Sequence, residues 1–329
     1  LNPEVWATHK EAIRAVSHKL TIQRHGKTIR FYAPLYLSNE CTNSCIYCGF
    51  SKNNGVSRLT LSEEEILQEA KVIRSLGIEH LLLVSGECPK TVGDEYLIKA
   101  TKLLRGIFSS LSIEVAPMDE GSYKKLFDNG IDGVICYQET YNPSVYAECH
   151  KTGPKSDMQY RINTLDRAGV AGMRFLGLGA LLGLSDHRAE AFFLGMHARY
   201  LEKKYWRSLV SISFPRIRPS KTGFRPKTTV NDDELLHMMS VLRLFLPDSN
   251  LLLSTRENVD LRDKAMFYGI NQMSAGSKTD PLGYSGHSSN CEQFSISDTR
   301  TPQEISERLS KLGYDPVFKD WDKGFRNEN

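Results

Sequence analysis

Three cysteines fall within eight residues, Cys41-Thr-Asn-Ser-Cys45-Ile-Tyr-Cys48, followed at once by Gly49-Phe50. The spacing is C-x3-C-x2-C, and no fourth cysteine stands nearby. A structural zinc ion takes four protein ligands, usually from paired C-x2-C units or from cysteines with histidines. A fully protein-bound 4Fe–4S cubane takes four thiolates. Three thiolates on a cubane leave one iron open, and an open iron is where a small molecule binds and receives an electron. Cys41, Cys45 and Cys48 are therefore candidate cluster ligands. Two other readings stand beside this one: a zinc site completed from afar by His80 or His287, and a redox or disulfide group.

Other polar groups follow apolar runs. Ser85-Gly86-Glu87 comes directly after His80-Leu-Leu-Leu-Val84. Its glycine permits close backbone approach, and its carboxylate can accept from an ammonium group; a plain turn with a solvated Glu87 is the competing reading. Glu139 follows another apolar run, where a buried carboxylate needs a partner; a ribose hydroxyl pair or a sulfonium would serve. Arg161 and Arg167, on the next expected helix, could reach a carboxylate; for Arg167 a surface ion pair is the competing reading. Gly177-Leu-Gly179-Ala-Leu-Leu-Gly183 lacks the G-x-G-x-x-G spacing of a dinucleotide loop and suits a flat adenine against backbone. Arg256 is the best candidate for an amino-acid carboxylate, because a guanidinium fork matches it bidentately; a structural pair with Glu257 competes. Ser274 and Ser277 can add hydrogen bonds, and Tyr36 either lines a substrate pocket or packs. Cys88, Cys136, Cys149 and Cys291 read as structural.

Positioning these groups requires a scaffold, and a strand-then-helix rhythm supplies one. Pro3 to Lys19 reads as an amphipathic helix. Strands are predicted over Arg30–Leu37, His80–Val84, Ser112–Ala116, Asp132–Tyr137, Gly172–Leu178, Leu209–Phe214, Asn250–Ser254 and Ile270–Met273. The continuous apolar character of several is that of parallel strands covered on both faces. Helices alternate with them, signalled by Ser62 with Glu65, Ser156 with Gln159, Asn231 with Glu234, and Thr301-Pro302-Gln303-Glu304. Eight such units in 329 residues predict an α/β fold, a single (β/α)8 TIM-type barrel with its active site at the C-terminal strand ends. The expected organisation is an N-terminal helical extension over 1–29, the barrel over 30–315 and a C-terminal tail over 316–329.

Composition narrows the function class. A net charge of +3 is too small to argue for nucleic acid, and no basic run with interleaved aromatics is present. No apolar stretch approaches the roughly 20 residues that span a bilayer, and no signal peptide is evident at the start. Unpaired cysteines fit a cytoplasmic protein.

Taken together, the motifs resemble a known family. The C-x3-C-x2-C loop with Tyr47 and Gly49-Phe50 is the cluster signal of radical S-adenosylmethionine (SAM) enzymes. Phe31-Tyr-Ala-Pro-Leu-Tyr36-Leu-Ser-Asn39, Leu83-Val-Ser-Gly-Glu87, Tyr137-Gln-Glu-Thr-Tyr141, Ser213-Phe-Pro-Arg216-Ile-Arg218-Pro219, Ser254-Thr-Arg-Glu257 and Val317-Phe-Lys-Asp-Trp-Asp322 are similar to segments of the ThiH family. These are the 2-iminoacetate synthases, tyrosine lyases of thiamine thiazole biosynthesis.

The resemblance implies a 4Fe–4S cluster on Cys41, Cys45 and Cys48, and reduction of SAM to methionine and a 5′-deoxyadenosyl radical. That radical takes a hydrogen from the amino group of L-tyrosine, and Cα–Cβ cleavage gives 2-iminoacetate and, after reduction of the other fragment, p-cresol. It further implies SAM contacts from Phe50, Ser85, Gly86, Glu87, Glu139, Arg161 and Gly179, and tyrosine contacts from Tyr36, Arg256 and Ser274. A thiazole synthase partner, ThiG, and an electron donor such as flavodoxin or ferredoxin belong to the same implication. Two relatives compete. The tyrosine-cleaving maturase HydG carries a second cluster on a C-terminal cysteine extension, whereas this chain has no cysteine beyond Cys291; the tryptophan lyase NosL shares the carboxylate-binding arginine. A non-catalytic metal-binding scaffold is the remaining alternative, and it would require a closed four-ligand site.

Overall fold

The computed structural model describes residues 1–220, 222–286 and 292–319. Its strands are β1 (Thr28–Ser38), β2 (His80–Ser85), β3 (Ser110–Glu114), β4 (Gly133–Ile135), β5 (Phe175–Gly179), β6 (Leu209–Ser213), β7 (Asn250–Leu253), β8 (Gln272–Ser274) and β9 (Asp315–Val317). Strands β2 to β8 pair in chain order, and β1 pairs with both β8 and β2, closing an eight-stranded parallel barrel. The α/β TIM-type expectation therefore holds. β9 adds to β1 just ahead of β2: Arg30 faces Gln272 across one edge and Val317 across the other.

The helices are α1 (Pro3–His25), α2 (Glu63–Ser75), α3 (Asp94–Leu104), α4 (Glu120–Asp128), α5 (Pro143–Cys149), α6 (Met158–Ile162), α7 (Thr164–Val170), α8 (His187–Lys204), α9 (Asp232–Phe245), α10 (Val259–Ala265) and α11 (Pro302–Lys311). Capping boxes open α2 at Ser62/Glu65, α9 at Asn231/Glu234 and α11 at Thr301/Glu304, as their sequence signals predict. Leu81 and Leu83 of β2, Leu111 and Ile113 of β3, and Leu176 and Leu178 of β5 are buried in the core against the surrounding helices. α1 lies along α9, with Trp6 stacked on His237 at 4.4 Å and its indole donating to Asp233 at 2.8 Å. No described helix is long and apolar enough to cross a membrane.

Several expectations need correction. β3 runs two residues earlier than predicted, ending at Glu114 instead of Ala116. Strand alternation has a period of two, so a slip of two leaves the inside–outside pattern unchanged and composition cannot detect it. The helix expected from Ser156 starts after a 3₁₀ turn with Asp157 as its cap, and it breaks at Asn163 into α6 and α7. α1 continues to His25 beyond the predicted Lys19. α5 was not expected, although Asn142 caps it and Pro143 occupies its first turn.

Candidate active site

The cysteine loop begins where β1 loses register. Tyr36 pairs with Val84 but Ser38 pairs with Ser85, so one extra residue bends the strand as it leaves the barrel. The loop then packs against the turn after β2. Gly86 donates to Ser38 O at 2.9 Å, and Thr42 N donates to Glu87 O at 3.0 Å. A Cβ on Gly86 would lie 2.2 Å from Glu40 O and 3.2 Å from Cys41 Cβ. Only glycine allows that approach.

On its other side the loop is tied to residues 149–155. Ser44 N donates to Thr152 O at 3.1 Å, and Lys155 N donates to Asn43 Oδ1 at 2.9 Å. Gly153, at φ +96°, is the pivot: its missing Cβ would meet Asn43 Oδ1 at 2.3 Å. Arg58, which sequence reasoning missed, donates to Asn39 O at 2.6 Å, Phe50 O at 2.9 Å and Ser51 O at 2.8 Å. This one guanidinium closes the loop on itself.

Cys41, Cys45 and Cys48 line one cavity with Ser85, Gly86, Glu87, Glu139 and Arg161. Cys45 is buried, while Cys41 and Cys48 are half-buried. A single zinc ion needs donors converging at about 2.0–2.3 Å, and among the described residues no three His, Cys, Asp or Glu side chains are so grouped. Three thiols opening on one cavity are instead the donor set that would suit a cubane held through three of its irons. His80, offered as a distant ligand, sits at the start of β2 beside Arg30 and Asn250 in a different cavity; His287 lies outside the described residues. A further fit appears at Ser85, whose buried hydroxyl has no hydrogen-bond partner among the described residues while its side chain lines the cysteine cavity. Such an orphaned group calls for a ligand or water.

Four charges lie side by side on the cavity wall. Arg161 Nη1 donates to Glu87 Oε1 at 2.8 Å, and Lys155 Nζ donates to Glu139 Oε1 at 2.6 Å. Asn43 Nδ2 takes the other oxygen of Glu87 at 2.8 Å, and Arg161 Nε donates to Tyr137 O at 2.7 Å. All four charged side chains are buried. Burial opposes ionisation of Glu139, but Lys155 and then Arg161 outweigh it and hold the carboxyl at about 2. Glu87 shifts below the usual carboxylate range by the same balance, with Arg161 foremost against burial. Glu139 also sits at φ +70°, an unusual conformation for a non-glycine residue. Sequence reasoning picked Glu87, Glu139 and Arg161 but missed Lys155, whose apparent place in a polar loop gave no signal.

The second cavity has a volume of about 100 Å³. It holds Tyr36, Arg256 and Ser274 together. Tyr36 donates to Gln293 Oε1 at 2.8 Å and meets Phe50 edge-on at 5.8 Å. Ser274 Oγ accepts from Thr255 N at 3.0 Å. Arg256 stacks over the Phe294 ring, 3.3 Å from its centroid, an arrangement that holds a guanidinium plane in place. The competing Arg256–Glu257 pair does not form: Arg216 takes Glu257 with its Nε at 3.1 Å from both carboxylate oxygens. Arg256 consequently has no ion-pair partner among the described residues. The buried Ser277 hydroxyl lines this cavity and is likewise unpartnered among them.

Cys48, Val84, Glu114, Glu139 and Gln293 line both cavities. The two are therefore compartments of one chamber at the C-terminal mouth of the barrel. Gly179 ends β5 with the Tyr137 ring and Ser213 O pressed against it; Leu181, two residues on, lines the chamber. Arg167 lies apart, donating to Met118 O at 2.7 Å and stacked on Tyr160 at 3.8 Å. Cys88, Cys136 and Cys149 are buried free thiols.

Comparison with known proteins fits this geometry. The radical SAM superfamily profile matches residues 35–194, and the Biotin and Thiamin Synthesis associated domain matches residues 213–315. The 2-iminoacetate synthase of Salmonella typhimurium is 45% identical over 317 residues, covering 96% of this chain and 84% of that protein. Its counterpart from Escherichia coli is 44% identical over 313 residues, covering 95% and 83% respectively. Among solved structures, the FeFe-hydrogenase maturase HydG from Carboxydothermus hydrogenoformans superposes with a TM-score of 0.89 at 36% identity, covering 94% of this chain and 72% of that one.

Proposed function

Because the chain belongs to the 2-iminoacetate synthase family of radical SAM enzymes, we propose that it cleaves the Cα–Cβ bond of L-tyrosine. The products are 2-iminoacetate for the thiazole of thiamine, p-cresol, methionine and 5′-deoxyadenosine. The observation that carries this reading is the shared chamber: the three-cysteine loop opens on one side and Arg256 on the other, with Cys48 common to both.

Cys41, Cys45 and Cys48 would hold a 4Fe–4S cluster through three irons, leaving the fourth for SAM. When bound, the cluster supplies the electron and SAM the hydrogen-abstracting 5′-deoxyadenosyl group. The chain's own residues bind, orient and shield. Ser85 offers an unpartnered hydroxyl and Gly86 its close backbone beside the cysteines. Glu87 and Glu139, held ionised by Arg161 and Lys155, present a negative wall suited to an ammonium, a sulfonium or ribose hydroxyls. Phe50 closes the floor against Tyr36. Arg256, fixed on Phe294, takes the tyrosine carboxylate in a bidentate grip, while Tyr36 and Ser274 define the pocket around it. SAM cleavage takes one electron, and the hydroxybenzyl fragment left by Cα–Cβ cleavage takes a second electron and a proton to become p-cresol, so a flavodoxin or ferredoxin is the class of donor required. ThiG would consume the 2-iminoacetate.

The test is anaerobic reconstitution with iron and sulfide, then reductant, SAM and L-tyrosine, with chromatographic detection of products. Stoichiometric p-cresol and 5′-deoxyadenosine, both lost in Cys45→Ala, are expected. 5′-Deoxyadenosine without p-cresol would move the substrate elsewhere, tryptophan first. Neither product from protein with a verified cubane spectrum would overturn the assignment.

A further inference from the structure

Glu114, the last residue of β3, lines both compartments of the chamber. The other carboxylates of the region are committed. Glu87 is taken by Arg161 and Asn43, Glu139 by Lys155, and Glu257 by Arg216. Glu114 has no hydrogen-bond or ion-pair partner among the described residues, and Arg256 has no ion-pair partner among them either. The two are close enough for the arginine's charge to act on the carboxylate. One uncommitted anion and one uncommitted cation thus line the same cavity, whose other arginine, Arg218, donates to Arg256 O at 2.5 Å and lies 3.9 Å from Glu257. A charge brought out of water needs a counter-charge, and an amino-acid zwitterion supplies one for each.

We propose that Glu114 receives the α-ammonium group of the amino-acid substrate while Arg256 receives its carboxylate. This rests on the tyrosine-lyase reading and adds to it the group that recognises the amino end. The assignment has a geometric consequence. Glu114 stands at the junction of the compartments, so an ammonium on it lies where the cysteine cavity opens into the substrate cavity. Tyr32 and Tyr137 of the same cavity are then available to pack against the substrate's side chain.

The surroundings agree. Burial first, and then the charge of Glu139, push the Glu114 carboxyl up to about 7, against the opposing influence of Arg256, Lys155 and Arg161. Tyr32, Tyr36 and Tyr137 face the same carboxylate and are each raised, chiefly by their own burial and next by its charge. A carboxylate this poorly compensated is stabilised by a bound cation, and the substrate brings one.

The test uses cluster-reconstituted protein with SAM bound and no reductant, so that nothing turns over. Equilibrium dialysis measures L-tyrosine and 3-(4-hydroxyphenyl)propanoate, which keeps the ring and carboxylate but lacks the ammonium. Glu114→Gln is expected to weaken L-tyrosine by about 30-fold or more, the ratio equivalent to roughly 2 kcal/mol for unpairing a buried charge. The propanoate should bind the variant as well as it binds wild type, and Glu114→Asp should recover part of the lost tyrosine affinity. Wild-type affinity for L-tyrosine in Glu114→Gln would overturn the inference and leave the lyase reading standing. So would equal weakening of both ligands with no recovery in Glu114→Asp. Absence of L-tyrosine binding to wild type would overturn the lyase reading itself.

Discussion

Arg161 Nη1 and Glu87 Oε1 meet at 2.8 Å across 74 residues of sequence. With Lys155 and Glu139 they form a buried alternation of charge beside the cysteine loop. A buried ion pair is a weak contributor to net stability as a pair, but removing one member strands the other in a low-dielectric site.

Lys155→Ala is therefore expected to destabilise the protein by about 3–5 kcal/mol. Glu139 would lose its closest cation and its carboxyl would rise from about 2. Urea denaturation of the cluster-free protein measures this, and an unchanged midpoint would show that Arg161 alone suffices.

Gly86→Ala should separate folding from cluster assembly. The added methyl would collide with Glu40 O, whose backbone must shift and take the first cysteine with it. The expected result is a retained helical circular dichroism spectrum with iron content well under half that of wild type after reconstitution.

Two adjacent arginine sites predict opposite phenotypes. Arg216→Ala strands Glu257, which is 1% exposed, and should lower stability by about 3 kcal/mol or more. Arg256→Ala removes a side chain without an ion-pair partner among the described residues and should leave the denaturation midpoint nearly unchanged. Its kcat/KM for L-tyrosine should fall at least about 30-fold, while slow uncoupled 5′-deoxyadenosine formation continues.

Acid should destabilise the fold through His150. Its Nδ1–H donates to Tyr146 O and its Nε2 shares a hydrogen bond with Tyr47 Oη, at 2.8 Å each, and burial, aided by Lys155, pushes it down to about 3. The unfolded chain binds a proton near pH 6.5 and the folded one does not. This contribution is thus full above pH 6.5 and shrinks as pH falls toward 3, by up to about 1.4 kcal/mol per pH unit. Stability measured across pH 7 to 5 in wild type and His150→Gln checks it: the variant's slope should be shallower.

The barrel and the cysteine loop were legible in the chain because both are local signals. Apolar runs such as His80–Val84, capping boxes such as Ser62/Glu65, and the C-x3-C-x2-C spacing each lie within a few residues. Glu87, Glu139, Arg161 and Arg256 could be nominated because each follows a recognisable strand or opens a helix. Lys155 could not, because its position depends on Gly153 folding the chain onto Asn43, 112 residues away from Lys155. Glu114 was hidden by the two-residue slip in β3, because the sequence signals put the strand's end at Ala116.

The sequence by itself determined the element order and the family, since these depend on residue identity and short-range periodicity. Only the tertiary structure decided which charges are spoken for. Arg256 is uncommitted because Arg216 reaches Glu257 first, and Glu114 is uncommitted because Arg161 and Lys155 are taken by Glu87 and Glu139. Such pairing depends on through-space distances between strand ends, and those are set when the barrel closes.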